Sequence, residues 1–522
     1  MANKTFETRI TRFDGGIAND IRENDTSKHA YAQNFNTFSY AHRLVPYRSY
    51  EAGNDTLDRK INKFLYYNGK LYGRGFVSAT PSVYDVQVYY KTDFTDGTWT
   101  TPANSSDPLS SAISTYGELF IYYRGFIYGA ADVSNVFQFD VTEAASFVVS
   151  DFTKNKVANV QGVVHSANDI LYVAAKNSST TKPEIWENNN GTWAGSASLS
   201  LPANLTITSM CEYGIYLAIA CVSDDPLATS SKVFLWDRVA TTWNEQIDWG
   251  EGALNVLEEL EGRLVGISIQ ERVNATNLLF NTTVNFKYYA GAQGAIEFSR
   301  LTGQTASTPI SHLGKAKQKA NNRIYFQMIL TTPEGGAGTA EGIWSVGRNE
   351  QGRYSVVNEY QTSDGTTIPT TIDGFFLVGS YIFISYSNSG SLSGNISKTK
   401  DDNVAGSFAN NSIYESIIFD GGDASQTKKL IGVSVTTLPL ASGNSVALAY
   451  RTDKDIISDS STWTTIFTHT TVDTVAHSAI NVESTGATLP EFKEIQFQLI
   501  STGGANITGF SFEHEIIPKR LY

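Results

Sequence analysis

Residues 66–73 read YYNGKLYG and residues 122–129 read YYRGFIYG, nearly the same eight letters fifty-six positions apart. Each copy sets apolar or aromatic residues on both sides of a two-residue turn, Asn68-Gly69 or Arg124-Gly125. Tight hairpin turns need positive φ, which Gly and Asn adopt at little cost, so each octet predicts a β-hairpin. The recurrence predicts more than a hairpin. Related apolar–turn–strand segments follow downstream, centred on Asn168, Gly214, Gly262, Asn322 and Gly379, with spacings from the low forties to about sixty. After most copies comes a second strand pair closed by an aromatic, as in EIWENNNGTWAG and KVFLWDRVATTWNE.

A four-stranded unit repeated about seven times is the pattern of a β-propeller, because one twisted sheet cannot cover both of its own faces and must stack on its neighbours. The expected fold is all-β: a propeller of about seven four-stranded blades over 56–412, an N-terminal docking arm over 1–55, and a C-terminal β-sandwich over 413–522. The sandwich is expected from period-2 alternation such as Ile495-Gln496-Phe497-Gln498-Leu499 and from turn signals every eight to twelve residues. The polar stretch 397–411 supplies the boundary.

Composition agrees. Of 522 residues, 12% are aromatic and only 17% charged, with 27 Tyr, 28 Phe and 42 Gly, a vocabulary of strands and turns. The net charge of −13 argues against a protein that grips duplex DNA by its phosphates. The densest basic patch, GKAKQKANNR at 314–323, reads as a solvated loop. Two cysteines, Cys211 and Cys221, are too few for a disulfide framework or a metal site and read as buried free thiols. No run approaches 18 apolar residues and the N-terminus has no apolar signal core, so neither a membrane span nor signal-peptide secretion is expected.

A search for chemistry finds little. The seven histidines form no metal-ligand motif, and no nucleophile elbow, P-loop or GxGxxG is present. GGAGTAEG at 335–342 reads as a hairpin loop. The enzymatic rival is a sialidase-type glycosidase. YKTDFTDGTWT at 90–100 approaches an Asp-box through Asp93, Asp96, Gly97 and Trp99, and 450–465 echoes it, but the Gly-to-Trp spacing is one residue short. The arginines that a carboxylate substrate would need, Arg12, Arg22, Arg59, Arg74, Arg263 and Arg323, hold no consistent repeat position. Carboxylate neighbours Asp224/Asp225 and Glu258/Glu259 read as loop charges instead of an acid–base pair. Trp99, Trp193 and Trp243 are possible glycan-stacking platforms, with core packing the plainer account. No catalytic, cofactor-binding or metal residue is therefore assigned, no cofactor is expected, and the chain is expected not to be an enzyme.

The two ends resemble a known group. RITRFDGGIANDIREND at 9–25 with AQNFNTF at 32–38 resembles the opening of propeller-containing virion proteins of tailed bacteriophages. The closing 414–435, 438–453 and 461–466 resemble the sandwich that follows such propellers. The resemblance implies a structural tail protein of nozzle, hub or head-completion type, located in the virion tail after assembly in the host cytoplasm. It implies a homo-oligomeric ring, often sixfold in that group, with other tail or connector proteins as partners and genome DNA passing through a channel. An acidic lumen would suit that passage. The alternative function is a glycan- or receptor-binding propeller or a sialidase-like glycosidase.

Overall fold

The computed structural model describes residues 5–20, 22–50, 55–57, 60–80, 83–94, 98–102, 119–130, 135–143, 148–153, 156–177, 180–225, 229–273, 280–305, 313–331, 339–361, 372–386, 394–399, 408, 411–457, 463–472, 477–481 and 489–517. The protein is all-β, its sheets antiparallel, with one five-residue α-helix, Asp453–Ile457, among the described residues. Two compact units divide the chain. Unit 1 takes Met1–Tyr50, Ile329–Ile368 and Thr399–Tyr522; unit 2 takes Glu51–Met328 and Pro369–Lys398.

Among the described residues of unit 2 the same step occurs seven times, a strand that turns back on its successor. The seven first strands are Lys60–Tyr67, Phe120–Tyr123, Lys156–His165, Leu205–Tyr213, Ala253–Leu260, Leu313–Ala320 and Ile372–Val378. The register pairs Tyr67 with Lys70, Tyr123 with Phe126, Leu260 with Arg263 and Ala320 with Arg323, leaving two-residue turns between them. Both turn residues have positive φ at Asn68-Gly69, Arg124-Gly125, Glu261-Gly262 and Asn321-Asn322, the type I′ geometry whose twist matches the strands. The two octets thus occupy equivalent hairpins in successive sheets. Their last letter has a different cause. A Cβ on Gly73 would lie 2.5 Å from Ile61 Cδ1, and one on Gly129 would lie 2.3 Å from Phe137 Cζ. The first glycine of each octet supplies a turn and the last makes room for a neighbouring side chain.

Both faces of these sheets are buried, which explains apolar runs such as LYVAA and YLAIAC. Alternate residues of one strand go to different clusters. Leu171, Val173 and Ala175 join Tyr123, Tyr128 and Val136 of the preceding sheet, whereas Tyr172 and Ala174 join Ile219, Phe234 and Trp236 of the following one. The first strands pack in chain order, each on the next, and Ile372–Val378 packs on Lys60–Tyr67. Asp55–Leu57 pairs with Gly394–Lys398 as the fourth strand of the last sheet. A register shift recurs near the same point in the first strands, at Ile61/Lys63, Val157/Gln161, Ile207/Ser209, Leu254/Val256 and Ile372/Gly374. Bulges of this kind increase local twist.

Unit 1 is built differently. One sheet orders Thr5–Ile10, Ile507–Ile516, Lys428–Thr437 and His477–Asn481, with Glu491–Phe492 also on Lys428–Thr437. A second orders His29–Gln33, Ser412–Ser416, Ile495–Thr502, Ser445–Thr452 and Thr464–His469. Their inner faces share one apolar cluster that includes Ile10, Phe13, Phe35, Leu44, Leu448, Phe497, Phe510 and Phe512.

This corrects the expected docking arm. Residues 5–50 are not a separate segment: Thr5–Ile10 pairs along its whole length with Ile507–Ile516, and Phe13, Phe35 and Leu44 are fully buried. The scattered aromatics of that stretch have core positions, and the lone strand satisfies its backbone at a sheet edge, where an unpaired strand would be a liability. The boundaries at 55/56 and 412/413 give way to the interleaved division above. The basic patch is also corrected. Most of GKAKQKANNR lies in the strand Leu313–Ala320, with Lys317 and Lys319 ion-paired to Glu258 and Glu259. The carboxylates of Glu258 and Glu259 on the fifth first strand are therefore neutralised by lysines of the sixth. Of GGAGTAEG, residues 335–338 lie outside the described residues, and Thr339 opens a strand. Among the described residues no helix is long and apolar enough to cross a membrane.

Candidate ligand groove

The outer face of the first sheet of unit 1 carries a groove of about 620 Å3, within the roughly 300–1,000 Å3 usual for small-ligand sites. Its origin is legible in two strands. In Gly432-Val433-Ser434-Val435-Thr436 and Gly509-Phe510-Ser511-Phe512-Glu513, Val433, Val435, Phe510 and Phe512 are buried in the core. Period-2 alternation then puts Gly, Ser, Thr and Glu on the opposite face. The small side chains there leave a depression. The register sets Ser434 opposite Ser511, Arg9 opposite Ser511, and Glu7 opposite Glu513.

The groove is polar and mixed in charge. Ser434 and Ser511 share a hydrogen bond of 2.8 Å between their hydroxyls. Glu7 and Glu513 face each other across the ladder, an unfavourable pairing of like charges that Arg9 relieves. Its Nε donates to Glu7 Oε1 at 2.5 Å, and the hydrogen bond and charge of Glu7, with Glu513 beyond, raise the guanidinium above its ordinary value. Carboxylates accept, guanidinium donates, and Ser434, Ser511, Thr436 and Thr508 do both. That inventory suits a ligand with many hydroxyls. None of these residues stood out in the sequence, although the alternation in GVSVT and GFSFE was available there.

The residues that did stand out are dispersed. Trp99 is buried against Phe64, Trp193 packs edge-on to Tyr128 and Trp243 edge-on to Phe234, so these indoles serve packing and not open stacking platforms. Asp93 is exposed, and Asp96 and Gly97 lie outside the described residues. In the echo of that box, Asp453 caps a turn by accepting from the backbone N–H groups of Lys493 and Glu494. The arginines do not converge. Arg12 is bidentate on buried Asp14, Arg22 pairs with Glu494, buried Arg74 donates to the Leu119 and Ala130 carbonyls, and Arg263 lies over Tyr288. Arg323 is buried beside Tyr325, where desolvation lowers its pKa, and Arg59 lies outside the described residues.

The carboxylate neighbours are held by lysines. Asp224 pairs with Lys176 at 2.5 Å. Lys317 Nζ lies 2.7 Å from Glu258 Oε1 and donates to Ser209 Oγ at 2.7 Å and to the Leu257 carbonyl at 2.9 Å. That lysine braces three first strands of unit 2. Cys211 and Cys221 are free and buried, and burial pushes both thiols up, away from reactivity. Among the described residues no group of three or more His, Cys, Asp or Glu is placed to hold a metal.

No family model matches the chain, and no curated protein matches it. Solved structures that it resembles include an exo-β-1,3-galactanase from Phanerochaete chrysosporium, at 9% identity and a TM-score of 0.32, covering 89% of this chain and 100% of the other. A xyloglucanase from Xanthomonas campestris is similar at 10% identity and a TM-score of 0.40, over 73% of this chain and 59% of the other. The β-propeller domain of a protease from Pyrococcus furiosus is similar at 8% and 0.33, over 70% and 91%. The expectation that this chain is not an enzyme is corrected by the glycoside hydrolases among these structures. At such scores the likeness assigns no activity or substrate in its place.

Proposed function

We propose that this protein binds carbohydrate, with the groove over Arg9, Ser434, Ser511 and Glu513 as the site. The observation that carries the reading is the groove itself: a depression of about 620 Å3 floored by glycine and hydroxyl side chains and flanked by a guanidinium and two carboxylates. Titrating the full chain with a panel of soluble oligosaccharides, read by calorimetry, tests it. Arg9→Ala and Glu513→Ala are each expected to weaken binding about tenfold or more, since a hydrogen bond to a charged group contributes about 1.5–3 kcal/mol. Ser434→Trp, which fills the floor, is expected to abolish it. Binding unaffected by Ser434→Trp in a folded protein would remove the groove from consideration. Release of reducing ends in the same mixtures would extend the reading to hydrolysis, with Glu7 and Glu513 as the groove's carboxylates.

We also propose that the seven first strands of unit 2 belong to seven blades of a closed propeller, and that the two sheets of unit 1 form a sandwich. The cyclic packing of the first strands supports the former and the shared core the latter. A second reading, a ring-forming component of a phage tail, is favoured by one observation. The two ends that carry the resemblance meet in one sheet, where Ala32 pairs with Tyr414. Copurification of the chain in rings or particles tests this reading.

A further inference from the structure

Tyr67 ends the first strand Lys60–Tyr67 and Tyr122 lies in the next first strand, Phe120–Tyr123, so the two repeated octets bring their tyrosines together. The ring centroids are 3.5 Å apart with planes inclined by 18°, closer than the roughly 4.5–7 Å usual for aromatic pairs. Tyr67 donates its phenolic hydrogen to Tyr122 Oη at 2.6 Å, and the backbone N–H of Gly125 donates to the same oxygen at 3.0 Å. The rings therefore lie face to face with their hydroxyl groups joined, Tyr122 Oη accepting both bonds. Both residues are only half-buried, so a small oxidant or an electron acceptor can reach them.

We propose that Tyr67 and Tyr122 are a site of dityrosine cross-linking by a peroxide-driven one-electron oxidant. In the step each phenol gives one electron to the oxidant and its phenolic proton to solvent. The two phenoxyl radicals join through carbons ortho to oxygen, and each ring then moves its displaced ortho hydrogen to its oxygen, restoring two phenols. Two electrons and two protons leave the pair, and one peroxide takes them up as two waters. The product is a covalent staple between successive sheets of unit 2.

The pair stands apart from its nearest rival. Tyr47 and Tyr360 approach to 4.1 Å at 31°, but Tyr360 is buried and the Tyr47 hydroxyl is held by the buried carboxyl of Glu359. Proximity also separates this site from random coupling among the chain's 27 tyrosines, because a preset contact turns a bimolecular radical encounter into a unimolecular one.

The test treats the full chain at low concentration with a haem peroxidase and hydrogen peroxide, then maps peptides by mass spectrometry and follows dityrosine fluorescence. The expected result is one dominant intramolecular product joining the Tyr67 and Tyr122 peptides, two hydrogens lighter than their sum. It should be lost in both Tyr67→Phe and Tyr122→Phe and retained in Tyr66→Phe, an exposed neighbour. The stapled protein should unfold at a higher temperature than the untreated one. Dityrosine spread over other tyrosines, products only between molecules, or signal unchanged in a Tyr67→Phe variant with native circular dichroism would each overturn the proposal.

Discussion

In unit 2 nearly every ladder joins strands that follow one another in the chain, and the side chains of one hairpin meet those of the next. In unit 1 the first described strand, Thr5–Ile10, pairs with Ile507–Ile516, the last. His29–Gln33 likewise pairs with Ser412–Ser416. Neighbouring pairings leave a periodic trace in sequence because each repeat solves the same local problem. A pairing between chain ends leaves no period, and its closure cost rises only slowly with separation, by about 0.6 kcal/mol per doubling of loop length. Local recurrence and remote pairing are therefore both stable solutions, but only the first is legible.

The sharpest way to break this comparison is to remove residues 1–50. Unit 1 then loses an edge strand of each sheet together with Phe13, Phe35 and Leu44 from its core. Truncating even one such side chain costs about 3–5 kcal/mol for Phe→Ala, so the truncated chain should fail to fold there. Limited proteolysis should cut within 413–517 while the hairpins of unit 2 stay protected. Equal protection of both regions would show that the N-terminal segment is dispensable.

Acid probes the same asymmetry less severely. His29 lies on the remote pairing, fully buried beside Tyr414, with neither ring nitrogen hydrogen-bonded. Desolvation lowers its pKa to about 3 from 6.5. The folded state keeps the imidazole neutral while the unfolded state takes up a proton below 6.5. The contribution is complete above pH 6.5 and is lost as pH falls toward 3, at about 1.4 kcal/mol per unit. Denaturant unfolding from pH 7 to pH 4.5 should show the wild type losing more stability than His29→Leu by this increment, whatever the opposing term of buried Glu359, whose pKa desolvation raises to about 8; parallel curves would discount His29.

The smallest expected effects separate the two glycines of an octet. Gly129→Ala sets a Cβ against Phe137, its cross-strand partner, and should cost about 1–3 kcal/mol as overpacking does. Gly125→Ala meets nothing within 4 Å but keeps a φ of 89°, and should cost about 1–2 kcal/mol from the left-handed backbone alone. Thermal melts of both variants check the order. A costlier Gly125→Ala would mean that turn geometry outweighs packing.

Much of unit 2 was readable in advance. Asn68-Gly69 and Arg124-Gly125 announced tight hairpins, and the positive φ at all four residues follows from residue type and turn length. The candidate groove was not readable, because Ser434, Ser511 and Arg9 are ordinary strand residues until the register sets them side by side. The tryptophans misled for a related reason: an indole in sequence looks the same whether it faces a ligand or, like Trp99, a neighbouring sheet.

By itself, then, the sequence determined the β class, the hairpin turns, their recurrence and the burial of both faces in unit 2. Those properties depend on residue type and on neighbours a few positions away. Only the tertiary structure decided that residues 5–50 complete the sheets of the C-terminal segment, that Glu7 faces Glu513, and that Tyr67 stacks on Tyr122. Each is a meeting of distant strands. Its register is fixed by which side chains fit a shared core, a collective choice that no single stretch of chain encodes.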